Sequence, residues 1–230
     1  MSSTAPRQLP LSLPHRPSMT REDYLVGEAN RTALAAIESW PGWPAPTTVL
    51  FGPPGSGKTH LVEIWRAASG ADAIAACELP AGEPDRLLAP GAVAIEAIDE
   101  GADEPALFHL LNLARERNAY VLLTSRTHPM ALAIGLPDLA SRLRAAQPVE
   151  LLEPDDTLLR RVLLKLFADR QLSIDSPMIE FIARRMERSL EAANLIVEHI
   201  DREALAAGRG VTRPLAGSVL ERLFPDASDN

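Results

Sequence analysis

Between positions 47 and 69 the chain reads Thr47-Thr48-Val49-Leu50-Phe51, then Gly52-Pro53-Pro54-Gly55-Ser56-Gly57-Lys58-Thr59, then a stretch of helical period. The octet satisfies G-x-x-x-x-G-K-[ST], and its setting is the one that pattern requires: a β-branched, apolar run before it and an amphipathic helix, 59–69, after it. Few folds accept this order. A strand that passes through a glycine-rich turn into a helix opens a parallel sheet covered by helices, because parallel strands need crossover connections. The glycines let backbone N–H groups curl around an anion at a helix N-terminus, where partial positive charge collects. Lys58 is placed to neutralise the β- and γ-phosphates of a nucleotide, and Thr59 to ligate Mg²⁺. Lys58 and Lys165 are the only lysines among 23 basic residues, so Arg is the usual cation here and a compact ammonium is retained at 58. An accidental match at a Gly/Pro turn is the alternative, and the flanking elements argue against it.

The remainder of the chain fits that opening. Glu28 to Trp40 has helical spacing and stops before Pro41, with Pro41, Pro44 and Pro46 as a stiff connector. A weak strand at 73–77, a strand at 92–98, a helix at 104–117 and strands at 120–124 and 148–152 alternate the two periods, which predicts an α/β class with a parallel sheet flanked by helices. From Pro154 the strand signals vanish. Asp155–Arg170, Pro177–Met186, Leu190–Ala207 and Pro214–Leu223 are amphipathic helices, with Gly208 and Gly210 as a stop, so a small all-α lid is expected over 154–223 after a core over 20–153. Residues 1–19, with prolines at 6, 10, 14 and 17, read as an extended tail, and 224–230 as a disordered end.

Composition excludes several roles. The 31 acidic residues outnumber the basic ones for a net charge of -8, so most of the surface repels a phosphate backbone and any DNA contact is expected to be weak or indirect. No run of about 18 apolar residues and no secretory signal pattern occurs, so a cytoplasmic address without membrane contact is expected. The lone Cys77 cannot form an internal disulfide and is expected to be a buried, inert thiol. The five histidines lie in no metal-ligand spacing, and no G-x-S-x-G, H-E-x-x-H or C-x-x-C occurs.

A nucleotide site of this kind needs a strand-end acid to hold Mg²⁺ through water. Val93-Ala94-Ile95-Glu96-Ala97-Ile98-Asp99-Glu100 offers two registers: Glu96 with Ala97 in the water-activating place, or Asp99 with Glu100. Composition favours the second, since an Asp-Glu pair after an apolar run is the usual chemistry.

Over residues 8–223 the chain resembles the DnaA-related AAA+ family, in particular its short Hda-like regulators of bacterial replication initiation. Tyr24-Leu25-Val26-Gly27-Glu28-Ala29-Asn30-Arg31 is similar to the family motif that lies against the nucleotide base, which implicates Leu25 and Val26, and the loop through His60 in binding ADP or ATP. The family register places Glu96 as the Mg²⁺-side acid with Ala97 where a second acid usually sits. Val121-Leu122-Leu123-Thr124-Ser125-Arg126 resembles the strand whose polar end senses the γ-phosphate, a role for Thr124 or Ser125; family members often have Asp where Arg126 stands. Leu139-Ala140-Ser141-Arg142-Leu143 resembles the box whose Arg acts as an arginine finger across a subunit boundary, so Arg142 is the catalytic candidate. Glu187-Arg188-Ser189-Leu190-Glu191-Ala192 resembles the second sensor, with Arg188 reaching phosphates, and Arg184 and Arg185 within one turn.

Gln8-Leu9-Pro10-Leu11-Ser12-Leu13 resembles peptides that dock on the sliding clamp, the β subunit of DNA polymerase III. Gln8, Leu9, Leu11 and Leu13 are its contact candidates, in a segment whose prolines reduce the entropy lost on binding. After Leu223 seven residues remain, too few for a DNA-reading helix-turn-helix. The resemblance thus implies a regulator that stimulates ATP hydrolysis by DnaA, with a homodimer among its assembly states. A self-sufficient ATPase using Asp99-Glu100 and a clamp-binding adaptor with a structural nucleotide are the alternatives.

Overall fold

A computed structural model describes residues 19–80 and 82–225. Within them, five strands, β1 (Thr47–Phe51), β2 (Asp72–Ala75), β3 (Ala92–Glu96), β4 (Tyr120–Ser125) and β5 (Gln147–Glu150), form one all-parallel sheet in the order β2-β3-β4-β1-β5. Successive residues of the strands feed opposite faces. Val49, Val93, Ile95, Val121 and Leu123 join one apolar cluster, while Leu50, Ala92, Ala94 and Leu122 join another. This period of two is what a sheet buried on both sides requires.

The first face is covered by α3 (Pro84–Leu87), α4 (Glu104–Glu116) and α5 (Pro137–Ala145), and the second by α1 (Glu28–Glu38) and α2 (Lys58–Ser69). α2 places Leu61, Val62, Ile64 and Trp65 inward at helical spacing and ends at Gly70, whose φ of 71° suits a left-handed C-cap. α1 stops at Glu38, short of the expected Trp40, which packs edge-on to Trp65 at 6.4 Å, while Trp43 stacks on the same ring at 5.3 Å. The helix α5 was not anticipated as an element, although Pro137 at its first turn suits a helix start.

Further sequence expectations are corrected. β3 ends at Glu96 rather than 98, because Ala97 has φ 58° and turns the chain out of the ladder. β2 likewise ends at Ala75 rather than 77, and a 3-10 turn, Ala76–Glu78, follows. That turn leaves Cys77 exposed, not buried, since its place on a strand face is lost.

The chain divides into two compact units. One comprises Met19–Leu159 together with Arg188–Glu191; the other comprises Arg160–Glu187 and the chain from Ala192 onward. The second unit is all helical, built from most of α6 (Asp156–Asp169), α7 (Ser176–Ala183), most of α8 (Leu190–Ala207) and α9 (Arg213–Leu223). Its interior includes Phe167, Ile182, Ile196, Ile200 and Val219, all fully shielded from solvent. Asp175 caps α7 by accepting the Met178 N–H at 2.9 Å. No helix among the described residues is long and apolar enough to cross a membrane.

Candidate functional site

The Gly52–Thr59 octet lies at the carboxyl end of β1, the strand between β4 and β5. Gly57, with φ 104°, occupies the N-cap position of α2 and frees that helix's first N–H groups, since no side chain caps them. Gly55 has φ 65°, and a Cβ there would fall 2.5 Å from the Ser189 Cβ. Only glycine fits so close an approach in the left-handed region.

Lys58 donates to the carbonyls of Gly52 at 2.6 Å and Pro53 at 2.8 Å, so two of its three N–H donors hold the loop's own backbone. Burial lowers the Lys58 ammonium below its ordinary value, the charge of Asp99 opposes this, and Arg126 adds to the lowering. Thr59 Oγ1 donates to Glu96 Oε2 at 2.8 Å, which brings the last residue of β3 and the first turn of α2 together. An oxygen-only pair of this kind fits Mg²⁺, which takes one or two protein oxygens and completes its shell with water and substrate phosphates. Among the described residues no group of three or more His, Cys, Asp or Glu could hold a metal by itself.

The other acid register is arranged differently. Asp99 and Glu100 lie past the end of β3; the Arg126 N–H donates to Asp99 Oδ2 at 3.1 Å, and Glu100 pairs with the Arg126 guanidinium. Thr124 and Ser125 are buried. Thr124 Oγ1 accepts the Ala97 N–H at 2.9 Å and Ser125 Oγ accepts the Thr127 N–H at 3.1 Å, so both hydroxyls brace the loops around the strand ends.

The segment ahead of the loop packs on α2. The Tyr24 ring meets the His60 ring edge-on at 4.9 Å, and His60 Nε2 lies 2.8 Å from the Thr20 carbonyl, which fixes Nε2 as the protonated donor. The Asn30 amide closes the turn carrying Leu25 and Val26: its Oδ1 accepts the Gly27 N–H and its Nδ2 donates to the Leu25 carbonyl. Burial raises the Tyr24 phenol well above its ordinary value, an effect that the Asn30 amide and Arg21 oppose.

Arg188 belongs, with Ser189, Leu190 and Glu191, to the same compact unit as the phosphate loop, although the chain on either side of that segment does not. Its guanidinium pairs with Asp156 at 2.8 Å, and the next residues lock onto the loop through the Leu190 N–H, which donates to the Gly55 carbonyl at 2.7 Å. Arg142, half-buried on α5, donates to Asn112 Oδ1 on α4 at 2.8 Å. Gln8, Leu9, Leu11 and Leu13 lie outside the described residues. Sequence reasoning missed the supporting partners Ser189 and Asn112; neither carries a local signal. A cavity of about 430 Å³ lined by Ser173, Ile174, Asp175, Met178 and Val211 lies in the helical unit and contains none of the phosphate-loop residues.

No family model matches the chain. Among solved structures it is similar to domain III of the Thermotoga maritima replication initiation protein DnaA, with a TM-score of 0.77 at 18% identity over 92% of this chain and 99% of that one. The fold is that of an AAA+ P-loop core. The T. maritima RuvB Holliday junction branch migration motor is also similar, with a TM-score of 0.72 at 18% identity over 93% and 74% of the two chains. AMPPCP-bound DnaA from Aquifex aeolicus gives 0.67 at 17% identity over 83% and 67%. The phosphate loop, Glu96 and Arg126 lie on adjoining strand ends, the place where ligands of open α/β sheets bind.

Proposed function

We propose that the chain is a nucleotide-binding AAA+ regulator of the DnaA-related, Hda-like type. It binds ADP or ATP with Mg²⁺ through Gly52–Thr59 and Glu96, docks on the DNA polymerase III sliding clamp through its tail hexamer, and offers Arg142 to ATP-bound DnaA. The observation that carries the reading is the convergence of Lys58, Thr59 and Glu96 at the mouth of an uncapped helix. Mg²⁺ held by Thr59 and Glu96 would supply charge neutralisation to the nucleotide's phosphates. Glu96 is the favoured acid because it already touches Thr59, whereas Asp99 and Glu100 are engaged by Arg126.

Ala97 stands where a second acid would polarise the attacking water, and a methyl group cannot do so, which supports chemistry in a partner's site rather than in its own. Arg142 suits a finger on energetic grounds. Its resting acceptor is a neutral amide, and a phosphate oxygen makes a hydrogen bond roughly twice as strong. The deciding experiment is DnaA-ATP hydrolysis measured with and without this protein, in the presence of clamp and DNA. Stimulation that disappears with Lys58→Ala is expected; robust steady-state hydrolysis by this chain alone, with DnaA unaffected, overturns the reading in favour of a self-sufficient ATPase.

A further inference from the structure

α7 and α9 of the helical unit meet at Phe181, whose ring lies beside Gly217 of α9, with its Cζ 3.9 Å from where a Cβ there would stand. Two guanidiniums cover this half-buried ring, Arg185 at 4.3 Å and Arg213 at 4.5 Å from its centroid. Their carbons are therefore no more than about 9 Å apart, both held by a ring face that attracts cations. Neighbouring groups do not satisfy them. Among the described residues neither guanidinium pairs with a carboxylate or donates to a protein acceptor, and Glu180, next to Phe181, is already engaged by Arg160 and Arg184. Arg213 is also the first residue of α9, whose first turn has no acidic residue and whose N-cap, Thr212, makes no side-chain capping bond. The helix end carries partial positive charge, so a cation is unfavourable there unless an anion joins it.

We propose that Arg185 and Arg213 form a binding site for a phosphate dianion, the terminal phosphate of a small molecule, with Phe181 as the platform that holds both cations ready. A carboxylate's two oxygens satisfy one guanidinium fork. Two forks this close match a group with three oxygens and two negative charges, which a terminal phosphate has and a carboxylate lacks. Resting both side chains on the ring before the ligand arrives reduces the freedom lost on binding. A small ligand suits the rest of the molecule, whose net charge of -8 opposes a long polyanion lying across it. The inference does not rest on the nucleotide reading, because neither arginine belongs to the compact unit that holds the phosphate loop.

The test follows the ring signals of the five phenylalanines by NMR while inorganic phosphate is added to the full chain at about pH 8, where the phosphate is a dianion. Phe181 is assigned with Phe181→Leu, and Phe51, which precedes the phosphate loop, reports that loop separately. The Phe181 signals are expected to shift and saturate, and sodium chloride at equal ionic strength is expected to leave them in place. Arg185→Gln and Arg213→Gln, both at exposed positions, should each raise the dissociation constant read at Phe181 by about tenfold or more, the size of a charge-assisted contact. Arg213→Lys keeps the charge, loses the fork and should bind more weakly than wild type. Phe181 signals that stay still or drift as they do in chloride overturn the proposal, as do dissociation constants unmoved by either Gln variant. A purely structural stack instead shows as a lowered melting temperature in those variants with no saturable response to phosphate. Oligothymidylate that saturates the same signals at a concentration about a hundredfold lower than phosphate also overturns it, in favour of a nucleic-acid backbone.

Discussion

Gly55→Ala probes the contact on which the loop's shape depends. Alanine at φ 65° costs about 1–2 kcal/mol, because its Cβ crowds the following carbonyl. The new methyl also falls 2.5 Å from Ser189 Cβ, 2.8 Å from Ser189 Oγ and 3.2 Å from Glu191 Cβ. A Cβ cannot rotate out of the way, so the 189–191 backbone must retreat and strain the 2.7 Å bond from Leu190 N–H to the Gly55 carbonyl, a further loss of about 1 kcal/mol. The total, about 2–3 kcal/mol, corresponds to a melting shift of roughly 5–10 °C for a chain of this size. Trp40, Trp43 and Trp65 all belong to the same compact unit as the loop, so tryptophan fluorescence follows its unfolding. Ser189→Gly removes the two closest atoms and leaves the backbone strain and the 3.2 Å contact with Glu191 Cβ. In the double variant the penalty of Gly55→Ala should therefore shrink by about 1 kcal/mol, a coupling that a double-mutant cycle resolves. A Gly55→Ala melting point within 2 °C (roughly the resolution of such a cycle) of wild type, or strictly additive effects of the two changes, refutes the reasoning.

Glu96→Gln should reduce the affinity gained on adding Mg²⁺ by about tenfold while sparing nucleotide binding in EDTA; an unchanged Mg²⁺ increment returns the metal role to Asp99. Arg142→Ala should leave folding and nucleotide binding intact but lower stimulated DnaA-ATP hydrolysis by about 10³-fold, with Lys rescuing poorly and Asn112→Ala nearly silent. Retained stimulation makes Arg144 the residue to test. Gln8→Ala with Leu11→Ala should abolish clamp binding without altering the melting temperature; clamp affinity equal to wild type removes the hexamer's docking role. Cys77, exposed on its 3-10 turn, should react with a thiol reagent in the native protein, and protection until unfolding contradicts the corrected placement.

The phosphate loop, the parallel class and most of the helices were legible in the sequence because each is written locally. Gly52, Gly55 and Gly57 permit the turn, and the apolar periods of 47–51 and 59–69 declare a strand and a helix without help from distant residues. Leu190–Ala207 needed nothing more than its own spacing, and the helix has those bounds. What failed were element ends and the partners of charges. β3 ends at Glu96 because Ala97 turns and donates to Thr124, 27 positions away, a contact that no local pattern shows. A lone thiol is ordinarily buried, but Cys77 is exposed because the chain leaves β2, an edge strand, at Ala75 and enters a 3-10 turn.

The sequence by itself determined that a strand, a phosphate-cradling turn and a helix follow one another, since backbone freedom and side-chain period are properties of neighbouring residues. Tertiary structure alone decided that Thr59 meets Glu96, that Arg126 is divided between Asp99 and Glu100, that Arg142 rests on Asn112, and that Ser189 seals Gly55. Those pairings depend on strand order and on which loops converge above the sheet, and no local pattern encodes the distance between residues that the chain brings together only by folding.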